Sequence, residues 1–283
     1  QDHEQFLVQG LEQDRDKVTQ ARDWLRASGT NGRITARHYD GQQLPFADRL
    51  VTAIVSEGPT EVSAAEIRRV LSPGGVAIIN GQVIPSPWPD EIDQWHHFLH
   101  DPDNNAVARD EQVNAPRSIQ WVARPLWGRS HEELASMSGA VTSQGRIFSI
   151  VDEAPLATIR FTGDWKLVAR DAFNGVLLWK RKIPQWVDHL RHFRSGPAHL
   201  ARRLVAVDDE VFVTLGLAAP VSALDARTGE IRRVYEGTEY TEEILVDGDT
   251  VYLVVGSSEV DRTGEGLYRR GEPEPTDFRY VVA

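Results

Sequence analysis

The sequence contains no cysteine, which excludes disulfides, thiolate metal sites and cysteine nucleophiles. It also lacks any run of 18 apolar residues, so no segment is expected to span a membrane. Basic residues are the minority, 31 against 42 acidic ones for a net charge of -11, and no basic cluster goes beyond short pieces such as Arg202-Arg203. Because a nucleic-acid binder needs a basic surface to neutralise phosphates, we expect no DNA or RNA partner.

The first eighty residues alternate short apolar runs with amphipathic stretches. Strands are predicted at 6–8, 34–38, 50–55 and 76–79, with a turn at 73–75 before the last. This alternation is typical of a parallel sheet that is covered by helices on both faces. The sequence therefore predicts an α/β, Rossmann-like first domain.

Two helices are predicted between these strands. One begins after a cap at Asp14 or Asp16, and the other covers 62–71. The first helix is indicated by four apolar residues that recur at helical spacing, namely Val18, Ala21, Trp24 and Leu25.

Two acidic residues follow predicted strands at the edge where such sheets bind ligands. Glu12 comes after the first strand and Asp40 after the second. A carboxylate there can accept hydrogen bonds from ribose hydroxyls or from an adenine amino group. The alternative is that both are solvated loop residues, and spacing alone favours neither reading.

Three segments in order carry a resemblance to a known family. They are DGQQLPFAD from Asp40, the strand at 50–55, and EIRRVLSPGG from Glu66. Together they resemble the class I S-adenosylmethionine (SAM) methyltransferases of the "type 11" group, over about residues 5 to 80. The resemblance implies that Glu12 holds the cofactor ribose and that Asp40 and Gly41 line the adenine.

One part of that family's pattern is not found. The glycine-rich turn after the family's first strand, which approaches the methionine part of the cofactor, is not in this chain. The sequence begins near what would be the second strand, so a truncated domain is expected, the alternative being a domain that never binds the cofactor. The stretch 51–58 offers no convincing general base, and no catalytic residue is assigned.

From about residue 82 the pattern changes. Prolines at 85, 87 and 89 predict a linker, after which short alternating strands with Asp, Asn and Gly turns take over. Residues 168–175 match 222–229, and Asp171 and Asp225 lie 54 positions apart. Hairpins are predicted within the upstream segments at 144–148, 208–212 and 247–252. A four-stranded unit that repeats in this way predicts blades of a β-propeller.

The repeat resembles a known propeller family. The segment ARDAFNGVLLW, from Ala169 to Trp179, is similar to the tryptophan-docking repeat of pyrroloquinoline-quinone (PQQ) dehydrogenases and of the propeller protein BamB. In the second copy Arg233 replaces the tryptophan. Residues 93–105 resemble the opening of those propellers, and Ser118–Trp121 their first strand, so the resemblance covers about 91 to 283.

Histidines raise a metal hypothesis. His96 and His100 would share a face of a helix, and His189, His192 and His199 form a looser group. Neither group has a recognised ligand spacing, so packing and hydrogen-bonding roles are favoured over metal binding.

Three functions follow from these resemblances. The first is a SAM-dependent methyltransferase-like domain joined to a propeller that binds a protein or small-molecule substrate or partner. The second is a non-catalytic, BamB-like interaction scaffold with a vestigial methyltransferase fold. A PQQ-dependent dehydrogenase ranks last, because its vicinal disulfide is impossible without cysteine and its calcium ligands find no match.

The expected organisation has three parts. Residues 1–82 form the methyltransferase-like part, 83–117 a linker with the propeller's opening segment, and 118–283 the blades. The blade pattern breaks off after 278–283, so a fragment at both ends is expected. The propeller resemblance favours the bacterial periplasm or another extracytoplasmic space, and an active SAM site would favour the cytoplasm.

Overall fold

The computed structural model describes residues 6–112, 115, 118–128, 136–156, 162–186, 198–256 and 279–283. Two compact units emerge. Unit 1 comprises the described residues of 1–92, 112–121 and 173–176, and unit 2 comprises those of 93–111, 122–172 and 177–283.

Unit 1 contains two helices and five strands, in an order close to the sequence prediction. They are β1 (Val8–Glu12), α1 (Arg15–Ala27), β2 (Ile34–His38), β3 (Val51–Ser56), α2 (Ala64–Val70), β4 (Leu71–Ile79) and β5 (Gln82–Pro85). β1 pairs with β2 in parallel, and β3 pairs with β4 in parallel. β5 adds an antiparallel partner to β4. Instead of one parallel sheet, the described strands of this unit form a two-stranded and a three-stranded sheet.

Helix α1 is capped by Asp14, whose backbone is still extended. The Asp14 carboxylate accepts hydrogen bonds from the backbone N–H groups of Asp16 and Lys17. Val18 and Leu25 are buried, whereas Trp24, which recurs with them at helical spacing, is 67% exposed. At about 100° per residue, Trp24 lies roughly 120° around the helix from Val18 and so misses the buried stripe.

The core of unit 1 lies under helix α2. Ser63 caps this helix through the Glu66 N–H, and Ile67 and Val70 face inward. They pack in one buried cluster with four other side chains, those of Leu44, Val62, Leu71 and Ala77.

The turn predicted at 73–75 is part of β4 instead. Gly74 and Gly75 exchange backbone hydrogen bonds with Ser86, at 2.9 and 2.8 Å, just beyond β5. This hairpin extends the strand through the glycines, and the register against β3 shifts at that point. The expected linker accordingly starts after β5.

Unit 2 is built from antiparallel sheets whose strands follow each other in chain order. The first sheet contains β6 (Met137–Ser143), β7 (Arg146–Asp152), β8 (Trp165–Asp171) and β9 (Leu177–Lys182). After the short helix α3 (Ala198–Ala201), the second contains β10 (Leu204–Val207), β11 (Glu210–Thr214), β12 (Val221–Asp225) and β13 (Ile231–Tyr235). The described strands of the third are β14 (Thr241–Asp247), β15 (Thr250–Val255) and β16 (Tyr280–Val282).

Tight turns join the first two strands of each sheet, where the sequence predicts them. Gln144, Asp208 and Gly248 each open such a turn with positive φ, at 51°, 49° and 56°. This left-handed backbone matches the twist of the flanking strands in a two-residue hairpin. The predicted hairpins of all three sheets are therefore present.

Side chains alternate between two cores because successive residues of a strand point to opposite faces. Leu204 and Ala206 of β10 belong to a cluster with Phe148 of the first sheet. Val205, between them, belongs to a second cluster with Ile244 of the third sheet. The second sheet is therefore apolar on both faces and is packed between its two neighbours.

Two local expectations differ from the structure. Ser118–Trp121, expected as a strand, has no regular secondary structure, and α3 adds a single helical turn where only strands were expected. None of the helices in the described ranges is long and apolar enough to cross a membrane.

Candidate functional site

Glu12 closes β1 with its side chain partly exposed. Its Oε1 atom accepts a hydrogen bond from the backbone N–H of Asp14 at 3.0 Å. This bond favours the charged carboxylate and holds the pKa of Glu12 below its usual value. At neutral pH Glu12 is therefore an acceptor of hydrogen bonds only.

Asp40 lies in the loop that leaves β2. Its Oδ1 atom accepts hydrogen bonds from the backbone N–H groups of Gln42 and Gln43, at 2.9 and 2.8 Å. The same bonds lower the pKa of Asp40, so this carboxylate is also charged at neutral pH.

The loops that carry Glu12 and Asp40 meet at one edge of the small parallel sheet. Glu12 pairs with His38 at the end of the ladder, and the Tyr39 N–H donates to the Glu12 carbonyl at 3.2 Å. Gly41, buried with φ at 87°, lies so close to the Gln13 side chain that an added Cβ would come within 2.2 Å of it. The structure thus brings together the two loops that the sequence assigns to a ligand.

An open groove of about 410 Å³ runs along the loop after β2. Asp40 lines it, whereas Glu12 and Gly41 do not. The other lining side chains include aromatic, basic, amide and aliphatic groups, namely Arg37, His38, Tyr39, Gln43, Leu44, Pro45, Phe46 and Arg69.

Arg69 of α2 holds one wall of this groove in place, a role that sequence reasoning missed. Its guanidinium donates to the carbonyls of Leu44 and Phe46, at 3.1 and 2.9 Å, and to Glu66 at 2.7 Å. Glu66 in turn accepts from the Leu44 N–H at 2.8 Å, and the arginine lowers the pKa of its carboxyl. The three-residue spacing of Glu66 and Arg69 on a predicted helix is the signal that could have revealed this pair.

In unit 2, Trp179 of the first sheet docks on the second sheet. Its indole Nε1 donates to the Ala226 carbonyl at 2.9 Å, and its ring is 8% exposed. A Cβ added to Gly229 would come within 2.7 Å of the ring. Gly229 belongs to the turn after β12, in which Asp225 accepts from the N–H groups of Arg227 and Thr228.

A similar contact exists in unit 1. Gly175 has φ at 73°, and an added Cβ would come within 2.5 Å of the Trp121 ring. The glycine of each repeated turn, Gly175 and Gly229, is thus covered by an indole that lies earlier in the chain.

The histidines take part in hydrogen bonds rather than in a shared helical face. His96 has no regular secondary structure, and His100, with φ at 78°, ends the tight turn that begins at His97. His96 Nδ1 donates to the Ala206 carbonyl and His100 Nε2 to Asp93, both at 2.7 Å. His189 and His192 lie outside the described residues, as does the side chain of His199. Within the described ranges, no group of three or more histidine and acidic side chains could hold a metal ion.

The chain matches no protein-family model and no curated protein. Among solved structures, it is similar to a europium-containing methanol dehydrogenase, with 17% identity and a TM-score of 0.37 over 58% of this chain. The chain spans 27% of the length of that protein. A similarity of this size does not establish a shared fold.

Proposed function

We propose that the chain joins a SAM-binding, methyltransferase-like unit to a propeller-type unit that binds a protein or small-molecule partner. The observation that carries this proposal is the meeting of the Glu12 and Asp40 loops at one edge of a parallel strand pair. Carboxyl ends of adjacent parallel strands are where α/β sheets bind nucleotide-like ligands.

The residues at this edge fit the polar part of SAM. Glu12 would accept hydrogen bonds from the ribose hydroxyls, and Asp40 would accept one from the adenine amino group. Backbone N–H groups of their own loops hold both carboxylates in the charged form, at Oε1 of Glu12 and Oδ1 of Asp40. Bound SAM would supply an electrophilic methyl group.

Calorimetry with the full-length protein tests the SAM site. We expect saturable heat on titration with SAM, and about tenfold weaker binding for Glu12→Gln, because a hydrogen bond to a charged acceptor contributes about 1.5–3 kcal/mol. Glu61→Gln, at an exposed position in the loop before α2, is the matched control and should bind as the wild type does. Absence of heat in the folded protein would refute SAM binding.

The second candidate is a non-catalytic scaffold, and the docking of Trp179 on Gly229 favours it. This contact supports a tryptophan-docked propeller in which consecutive sheets form a rigid platform. If SAM binding fails while unit 2 remains folded, the scaffold becomes the better account. We assign no residue to PQQ and propose no role for it.

A further inference from the structure

Within unit 2, residues 93–101 cross the first strands of all three sheets. The Trp95 carbonyl accepts from the Thr142 N–H of β6 at 2.7 Å, and the Trp95 N–H donates to the Thr142 hydroxyl at 2.8 Å. The His96 carbonyl accepts from the Ala206 N–H of β10 at 3.0 Å.

The next residue reaches the third sheet. His97 Nε2 accepts from the Val246 N–H of β14 at 3.0 Å. Three consecutive residues thus bond to β6, β10 and β14 in turn. We call residues 93–101 the strap.

The strap folds back on itself. His97 and His100 exchange backbone hydrogen bonds at 2.9 and 3.1 Å. The buried His100 ring lies between Asp93 and Asp101, with nitrogen–oxygen distances of 2.7 and 3.2 Å. These bonds close the strap into a compact loop, so its contacts with the sheets are expected to form and break together.

His97 can hold the strap closed only while its ring is neutral. Nε2 accepts a hydrogen bond, so it carries no proton, and the single ring proton lies on Nδ1. A proton on Nε2 would face the Val246 N–H, donor against donor. His97 is 3% exposed, and its Nδ1 has no hydrogen-bond partner among the described residues.

The surroundings of His97 also disfavour its charged form. Burial lowers the pKa of His97 to about 4, and the neighbouring His96 and His100 act in the same direction. Asp101 opposes them.

The strands packed against His97 add few charges that could compensate. On β14, Glu242 is paired with Arg279 and Glu243 with Arg202, and Asp247 is exposed at the strand's end. β10 contains only apolar residues.

We propose that the strap opens as one unit when His97 takes up a proton, which releases the first strands of the three sheets together. This inference concerns unit 2 alone and does not rest on the proposed SAM site.

Hydrogen exchange of the full chain, followed by NMR, tests the strap directly. The amides of Thr142, Ala206 and Val246 are the ones that bond to it. Their protection factors correct for the intrinsic pH dependence of exchange. If the pKa of His97 is near 4 in the closed strap and near 6.5 in the open strap, the three protection factors should fall together by about 20-fold from pH 7 to pH 5. Amides of the central strand β11, such as that of Phe212, should change much less.

His97→Gln separates the titration from the hydrogen bond. The glutamine oxygen can still accept from Val246 but does not titrate, so the pH response of the three amides should shrink to less than about twofold. Glu236→Gln, which removes an exposed titratable side chain of unit 2 outside the strap, is the control and should keep the response.

The wild-type protein offers a second measurement should His97→Gln fail to fold. NMR titration of the His97 ring should then give a pKa near 4. The proposal is overturned if the three protection factors change independently, if His97→Gln keeps the full response, or if the His97 ring titrates near 6.5.

Discussion

The indole ring of Trp179 covers the α-carbon of Gly229 so closely that no side chain fits between them. The same indole donates a hydrogen bond to Ala226 in that turn. The Trp179 side chain, on the last strand of the first sheet, therefore packs directly on a turn of the second sheet.

Replacing Gly229 by alanine should destabilise unit 2 for two reasons. The new Cβ would collide with the Trp179 ring, and the backbone has φ at 74°, which disfavours alanine. We expect a loss of about 2–4 kcal/mol in the free energy of unfolding, measured by urea denaturation.

Gly237→Ala separates these two causes. Gly237 has φ at 78°, but nothing lies within 4 Å of its added Cβ, so only backbone strain of about 1 kcal/mol is expected. Equal losses at the two positions would show that Trp179 does not press on Gly229.

Trp179→Phe should also weaken unit 2. The phenyl ring fills less of the buried space and leaves the Ala226 carbonyl without its donor, at a cost of about 2–4 kcal/mol. Trp24→Phe, at an indole that is 67% exposed, should change stability by less than about 0.5 kcal/mol. Thermal unfolding of both variants would check this contrast.

The Glu66–Arg69 pair should matter for unit 1. Glu66→Gln weakens the bonds to Arg69 and leaves the Leu44 N–H with a neutral acceptor, so a loss of about 1–3 kcal/mol is expected by urea unfolding. Asp48→Asn, at a side chain that is 74% exposed, should cost much less. A similar loss for both variants would contradict the role of Glu66.

Stability should fall as the pH drops from about 6.5 to 4. The pKa of His97 is about 4 in the folded protein, below the usual histidine value, so the unfolded chain binds more protons in this window. The contribution is complete above pH 6.5 and is lost toward pH 4, by about 3 kcal/mol at most. Urea unfolding of wild type and His97→Gln across this range should show a shallower pH dependence in the variant.

The sequence predicted the local structure well where turn chemistry is specific. The hairpins at Gln144, Asp208 and Gly248 are all present. Each turn contains aspartate or glycine, Gly145 in the case of Gln144, and these residue types accept the left-handed backbone that such turns require. The second strand, Ile34–His38, also has its predicted bounds.

Prediction failed where distant contacts decide. Gly74 and Gly75 were expected to form a turn, but pairing with Ser86 keeps them in a strand. Turn propensities of neighbouring residues do not reveal a partner that lies more than ten positions away. Trp24 is apolar yet exposed, because it lies outside the stripe of the helix that contains the buried Val18 and Leu25.

The candidate site was predicted in part. The positions of Glu12 and Asp40 follow from strand ends alone, and their loops do meet. Arg69 and the strap were missed, since both depend on contacts between segments that are far apart in the chain.

Trp179 joins the first antiparallel sheet of unit 2 to the second. NMR of the full chain can test it at Trp179 and Gly229. The account predicts cross-relaxation between the Trp179 indole protons and the Gly229 Hα protons, with those Hα signals shifted strongly upfield by the ring. Gly229 Hα signals at ordinary glycine positions, with no cross-relaxation to the indole in the folded protein, would contradict it.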